Sequence, residues 1–347
     1  MKNLIITLSI ISFLSCKQEK TKNLQLENSQ KKIINMQNSD INSKNFVSKL
    51  TEKVKHYPKE PIYYMRLGKA NCVIQVLIND LLIYQDYELS NVATPLRVNR
   101  GILKSGVQKL TYRLYPTGDL MKENYSGDNP TVTTLTDLTS VNIKIIQMDN
   151  KGEKKFKDEV LVMEHISQND KNGNFIASGK PYYEYTFEFN AEVPYELEGW
   201  TNGQDLTKLD QKLLEKKTTE YYSAYQKIYE NQDADALSKI NFGIESMISQ
   251  AYYKSKNENS ELWNEYLKML TIKNKKFKSI KDHIKVFYGN GKIIEFKQKS
   301  FDYPYRGLGS FFYEYMDEEN VESYNSANIY LYLPQGKKLE DGLYMLE

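Results

Sequence analysis

The residues of this 347-residue chain whose types could do chemistry are few. They are three histidines, one interior cysteine, a strand with two alternating glutamates, an Asp/Asn-rich turn and one aromatic loop. His56, His165 and His283 stand far apart in sequence, and no two have the i, i+4 spacing of a helical zinc pair. Cys72 lies in the apolar run Cys72-Val73-Ile74 and reads as a small buried hydrophobe. Glu184 and Glu188 alternate with aromatics in Tyr182-Tyr183-Glu184-Tyr185-Thr186-Phe187-Glu188-Phe189. Paired carboxylates beside a cleft can hydrolyse a glycosidic bond. Alternate residues of a strand share a face, however, so the pattern predicts aromatics inward and solvated glutamates outward. The stretch from Asn169 to Asn174 resembles a calcium loop in residue types. Counted from Asp170, Gly173 falls two places early and Pro181 takes the last ligand's place, so a hairpin turn is expected instead. Around Ser310 the two glycine positions of a nucleophile elbow are Leu308 and Phe312, so Gly309-Ser310 reads as a turn. With no Gly-rich phosphate loop or dinucleotide fingerprint, the sequence predicts no catalytic residue, no metal site and no cofactor.

Contact chemistry remains. Phe301-Asp302-Tyr303-Pro304-Tyr305-Arg306-Gly307 joins aromatics with a Pro, an Arg and a Gly. Aromatic residues and Arg are enriched at interface hot spots, which makes Tyr303, Tyr305 and Arg306 the candidate binding residues. Trp200, beside Gly199, is the candidate platform for stacking on a sugar ring, whereas Trp263 falls on a helix face. Tyr is abundant at 28 residues. Its stiff, amphipathic ring suits a binding surface, but AT-rich coding raises Tyr, Lys, Asn and Ile together, so the count alone assigns nothing.

The elements that must position these residues follow from periodicity. Residues 57–198 read as short strands: Cys72–Ile78 and Leu81–Tyr84 around an Asn79-Asp80 turn, Ile102–Gly106, Gln108–Tyr115, Val141–Met148, Val160–Ile166 and Tyr182–Phe189. Strands at that spacing predict an antiparallel β-sandwich. Ser105-Gly106 leading into Leu110-Thr111-Tyr112-Arg113-Leu114 resembles accessory β-sandwich modules of extracellular proteins. From Asp205 the period becomes helical, through Leu206, Leu209, Leu213, Tyr221, Tyr225 and Ile228. Asp205 and Asp233 are the expected caps of the first two helices, and Ser260 opens a third. Asn202-Gly203 is the predicted boundary of a second domain, 203–347. Strands return with His283–Tyr288 and Lys292–Lys297 around Gly289-Asn290-Gly291, then Phe311–Tyr315 and Asn328–Leu333. The fold class expected is α+β, an antiparallel sandwich followed by helices and a C-terminal antiparallel sheet. Tyr225 through Leu237, with the turn Asn231-Gln232-Asp233-Ala234-Asp235, resembles the cone-shaped α+β domains of nuclear transport factor 2.

The N-terminus speaks of address. Met1-Lys2-Asn3 precedes an apolar run from Leu4 to Leu14, the layout of a secretory signal peptide and too short to span a bilayer. The run closes Phe13-Leu14-Ser15-Cys16, which resembles the lipobox of bacterial lipoproteins, with Phe13 where Leu is usual. That resemblance implies removal of residues 1–15, lipid on Cys16, and attachment to the outer membrane, since Lys17 rather than Asp follows the cysteine. Residues 16–46, rich in Lys, Asn, Gln and Ser, read as a flexible tether. Charged residues make up 27 % of the chain and the net charge is +2, which argues against a nucleic-acid binder. The sequence therefore predicts a membrane-anchored, non-enzymatic binding module for an envelope or secreted protein, a toxin to be neutralised among them. The alternative is a glycan-binding or glycan-processing lipoprotein.

Overall fold

The computed structural model describes residue 33 and residues 37–125, 127–152 and 155–347. The expected signal peptide, Cys16 and most of the expected tether lie outside the described residues.

Eight strands form the first half: β1 (Pro61–Ala70), β2 (Val73–Ile78), β3 (Leu81–Asp86), β4 (Leu96–Arg97), β5 (Gly106–Tyr115), β6 (Ser140–Asp149), β7 (Val160–Ile166) and β8 (Tyr183–Ala191). They pair antiparallel in two four-stranded sheets, ordered β4-β1-β6-β7 and β3-β2-β5-β8. Period-2 alternation sends Leu110, Tyr112 and Leu114 of β5, Phe187 and Phe189 of β8, and Val141, Ile143 and Ile145 of β6 into one core. Each such aliphatic or aromatic side chain, fully buried, contributes roughly 1.5–3 kcal/mol. Asn79 and Asp80 both take positive φ, 50° and 63°, and close the β2–β3 hairpin as the sequence suggested. Residues 102–105 are not a strand. A 3-10 turn at Asn99–Gly101 precedes them, and Asn99 is spent internally, accepting from Tyr63 N at 2.6 Å and donating to Pro61 O at 3.0 Å.

The tether ends earlier than its composition implied. Ile41 is buried, Asn38 donates to Lys239 O at 3.0 Å, and the backbone of Ser43 donates to Asp235. Helix α1 (Phe46–Lys53) follows, with Phe46 and Leu50 fully buried. The Phe46 ring lies 4.4 Å from Trp263 and 6.1 Å from Phe242. A run of polar residues hid two buried isoleucines, Ile33 and Ile41, and the short helix behind them. A second short helix, α2, spans Leu120–Asn124.

The second half opens with three helices: α3 (Gln211–Asn231), α4 (Ala234–Ala251) and α5 (Lys256–Thr271). Asp233 caps α4 as its position predicted, accepting from Ala236 N. Asp205 instead caps a 3-10 turn at Leu206–Lys208, and Asp210 caps α3. Ser255, paired with Glu258 in a capping box, starts α5 five residues before Ser260. Strands β9 (Lys276–Phe277), β10 (His283–Tyr288), β11 (Ile293–Gln298), β12 (Phe311–Met316), β13 (Glu322–Ala327), β14 (Leu331–Tyr332) and β15 (Tyr344–Met345) complete the chain. They pair antiparallel as β10-β11-β14-β15 and β13-β12-β9. The α+β class stands. β13, Glu322-Ser323-Tyr324-Asn325-Ser326-Ala327, carries no β-branched residue and was not legible as a strand.

One tyrosine shows how helix and sheet are joined. The β11–β14 ladder pairs Ile293 with Tyr332 and Ile294 with Leu331, then opens. Where it opens, the buried Tyr222 hydroxyl of α3 accepts from Phe296 N at 2.9 Å and lies 3.2 Å and 3.4 Å from the carbonyls of Phe296 and Ile329. Tyr222→Phe leaves a buried backbone N–H without its acceptor. It is expected to cost about 1–3 kcal/mol in urea unfolding.

Apolar packing continues across Asn202-Gly203. Trp200, Met247, Tyr253, Tyr288, Ile293 and Tyr330 share one apolar core with the sandwich strands. Thirteen of the 28 tyrosines are buried and four exposed, so tyrosine here is chiefly a core residue with a polar tip to satisfy.

Candidate functional site

The loop from Phe301 to Gly307 is braced against both halves. Its Asp302 carbonyl accepts from Tyr305 N at 2.8 Å and Arg306 N at 3.2 Å. The Gly307 carbonyl accepts from the Lys297 ammonium at 3.1 Å and from Gln85 of β3. Gly307 has φ +72°, and its Cα faces the Tyr87 ring so closely that a Cβ would stand 2.4 Å from it.

The three predicted contact residues of this loop separate in role. Arg306 is not free: its guanidinium pairs with Glu123 of α2, with 10 % of the side chain exposed. Tyr305 donates to Glu314 at 3.0 Å, and the Lys278 ammonium lies 5.1 Å from its ring. Tyr303 is the most exposed of the three, at 67 %, next to Phe301 at 73 %. The Tyr303 ring meets Tyr324 edge-on at 6.4 Å. Tyr324, Val321 and Met316, all exposed on the β12–β13 hairpin, extend the apolar ridge. Sequence reasoning missed these three because β13 was missed. Acidic residues accompany the ridge: Glu318, Glu319 and Glu322 are exposed on the same hairpin, Asp302 is exposed in the loop, and Glu88 is near enough to add to the rise that burial gives the Tyr324 pKa.

Trp200, predicted as a sugar platform, is 4 % exposed. Gly289 presses its Cα against the indole, where a Cβ would lie 2.6 Å from Cδ1, so the ring offers no open face. Gly289 follows β10 with φ +61°, and the hairpin therefore turns directly over the tryptophan.

The titratable residues weighed for chemistry have structural partners. His56 Nδ1 lies 2.8 Å from the buried Glu60 carboxylate. His165 lies between Tyr185 and Phe187, with Nε2 3.1 Å from the Tyr112 hydroxyl, and burial lowers its pKa. His283 stacks on Phe296 at 3.7 Å. Glu184 pairs with Arg113 at 2.6 Å. Cys72 sits in the sandwich core, where burial pushes its thiol up to about 11. Among the described residues, no group of three His, Cys, Asp or Glu is placed to hold a metal ion. No helix among them is long and apolar enough to cross a membrane.

A second feature was invisible in the sequence. A cavity of about 440 Å³ lies where the sandwich meets the helices and the β13–β14 segment. Arg100 and Leu81 reach it from the sandwich, Asn241 and Glu245 from α4, Tyr266 from α5 and Asn328 from the second sheet region. Glu245 is 6 % exposed; its Oε1 accepts from the Tyr266 hydroxyl at 2.6 Å. Its Oε2 has no hydrogen bond, and the Lys254 ammonium stands 3.8 Å away. Burial raises the Glu245 pKa, against the pull of Lys254, the Tyr266 hydroxyl and Arg100. No single sequence pattern gathers these residues, since they come from segments more than a hundred positions apart.

No family model, curated protein or solved structure matches this chain. The functional reading therefore rests on the residues themselves.

Proposed function

We propose that the protein is an exported lipoprotein, held to the outer membrane through lipid on Cys16, that binds an envelope or secreted protein without catalysis, in the manner of an immunity protein. The observation that supports it best is the pair Phe301 and Tyr303, 73 % and 67 % exposed on a loop closed on itself at Asp302 and held at Gly307. Large aromatics left in water on a rigid support are what interface hot spots are made of, because little entropy is lost when a partner covers them. The acidic residues that accompany the ridge narrow the partner to a surface with a basic rim around an apolar centre.

The test uses the full-length protein in detergent as immobilised bait for envelope and secreted fractions, beside the variant Phe301→Ala/Tyr303→Ala. A stoichiometric partner is expected on the parent and lost from the variant. Each truncation is expected to cost about 2 kcal/mol, roughly thirtyfold in affinity. Both side chains are exposed, so the melting temperature should be unchanged. A partner retained equally by the variant would remove the ridge as the binding surface.

A further inference from the structure

We infer that the cavity between the sandwich and the helices is a binding site for a small zwitterion of the amino-acid type, its ammonium on Glu245 and its carboxylate on Arg100. The argument begins with two opposite charges that share a cavity without pairing to each other. Among the described residues, Arg100 makes its side-chain hydrogen bonds through Nη2 alone, to the carbonyls of Leu82 at 3.2 Å and Ile83 at 2.5 Å. Those bonds hold Nη2, and Arg100 lines the cavity with Nε and Nη1 as its remaining donors. Glu245 is fixed likewise by one bond from Tyr266 and keeps Oε2 free of hydrogen bonds. The Lys254 ammonium stands 3.8 Å from that oxygen, too far for a hydrogen bond, so a ligand ammonium within hydrogen-bond distance adds a charge-assisted bond that the buried carboxylate lacks. The free guanidinium edge suits a planar carboxylate in the same way.

Size and lining agree with that chemistry. About 440 Å³ admits one amino acid with a large side chain, or a dipeptide, and excludes a folded segment. Ile244, Ile248 and Met269 give an apolar wall for the side chain. Asn241, only 2 % exposed, already shares a 3.4 Å contact with the Tyr225 hydroxyl, so the walls are set before a ligand arrives. This site is distinct from the aromatic ridge and stands or falls separately from it.

The test is calorimetric titration of the full-length protein in detergent with leucine, phenylalanine and leucyl-phenylalanine, then with their N-acetylated and C-amidated forms. The free zwitterions should bind, and blocking either end should weaken binding at least tenfold. Comparison of the amino acids with the dipeptide tells which length the cavity takes. Glu245→Gln keeps an acceptor for Tyr266 and should lose affinity at least tenfold for the free forms while barely affecting the amine-blocked ones. Arg100→Lys should lose affinity at least tenfold for free forms while leaving amides unchanged. Measurements on the unaltered protein need no variant to fold. No heat with any free form at millimolar concentration, or equal binding of free and blocked forms, would overturn the inference.

Discussion

Phe46→Ala is expected to destabilise the protein by about 3–5 kcal/mol, the usual cost of emptying a fully buried aromatic site. Phe46 is 0 % exposed and its ring fills the space between Trp263 of α5 and Phe242 of α4. No other aromatic on α1 can take its place, since the helix reads Phe-Val-Ser-Lys-Leu-Thr-Glu-Lys. A loss of this size is a large share of the 5–15 kcal/mol that holds a typical domain folded. Equilibrium unfolding in urea, followed by tryptophan fluorescence, measures it directly, because Trp263 reports on the same contact. Were residues up to 46 a free spacer, the substitution would shift the midpoint by nothing measurable, and the packing of α1 would be refuted.

The second large effect concerns a buried charge pair on β11. Glu295 is 0 % exposed with neither carboxylate oxygen hydrogen-bonded, and its neighbour in charge is Lys297, 3 % exposed. The Lys297 ammonium also donates to Gln85 Oε1 at 2.7 Å and to the Gly307 carbonyl, tying the sheet to the sandwich and to the aromatic loop. Burial raises the Glu295 pKa above its ordinary 4.5, and the ammonium of Lys297 opposes that rise. Lys297→Met removes the opposition and is expected to cost about 3–5 kcal/mol near pH 8, as for other buried pairs broken on one side. A carboxyl whose folded pKa is raised binds more protons folded than unfolded once the pH exceeds 4.5. Stability therefore falls as pH rises from there through the folded pKa, and the variant's penalty shrinks toward pH 5. The double variant Lys297→Met/Glu295→Gln should recover part of the loss at pH 8. Urea unfolding at pH 5 and pH 8 decides the matter: an equal penalty at both would show that the charge of Glu295 is not what Lys297 balances.

How far the sequence could be read depended on whether the signal was local. The Asn79-Asp80 and Gly289-Asn290-Gly291 hairpins, the alternation in β8 and the Asp233 cap were legible because each is decided within a few residues. The α+β class followed from the change of period at the helices. β13 was illegible because its residues have weak strand propensity and pair only through β12. That omission hid Tyr324, and with it the hairpin that presents Met316 and Val321 beside the loop's two aromatics. The partners of Trp200 and Arg306 were out of view for a related reason. Residue type marks the two as contact-makers, but those partners, Gly289 and Glu123, lie 89 and 183 positions away. The cavity residues Arg100 and Glu245 gave no sign at all, since only the packing of sandwich against helices brings them together.

The early end of the tether has a mechanical side. With lipid on Cys16 as proposed, the chain from the anchor to the first packed residues is roughly twenty residues, which can span at most about 70 Å. Force from the membrane then enters the molecule at Ile33 and Gln37, ahead of Ile41 and α1, which pack on α4 and α5. A tug on the anchor loads these N-terminal contacts before the Phe46 contact and before any of the sheets. The binding loop, braced by β3 and β11, would keep its shape under a strain that had already begun to peel the N-terminal strap away.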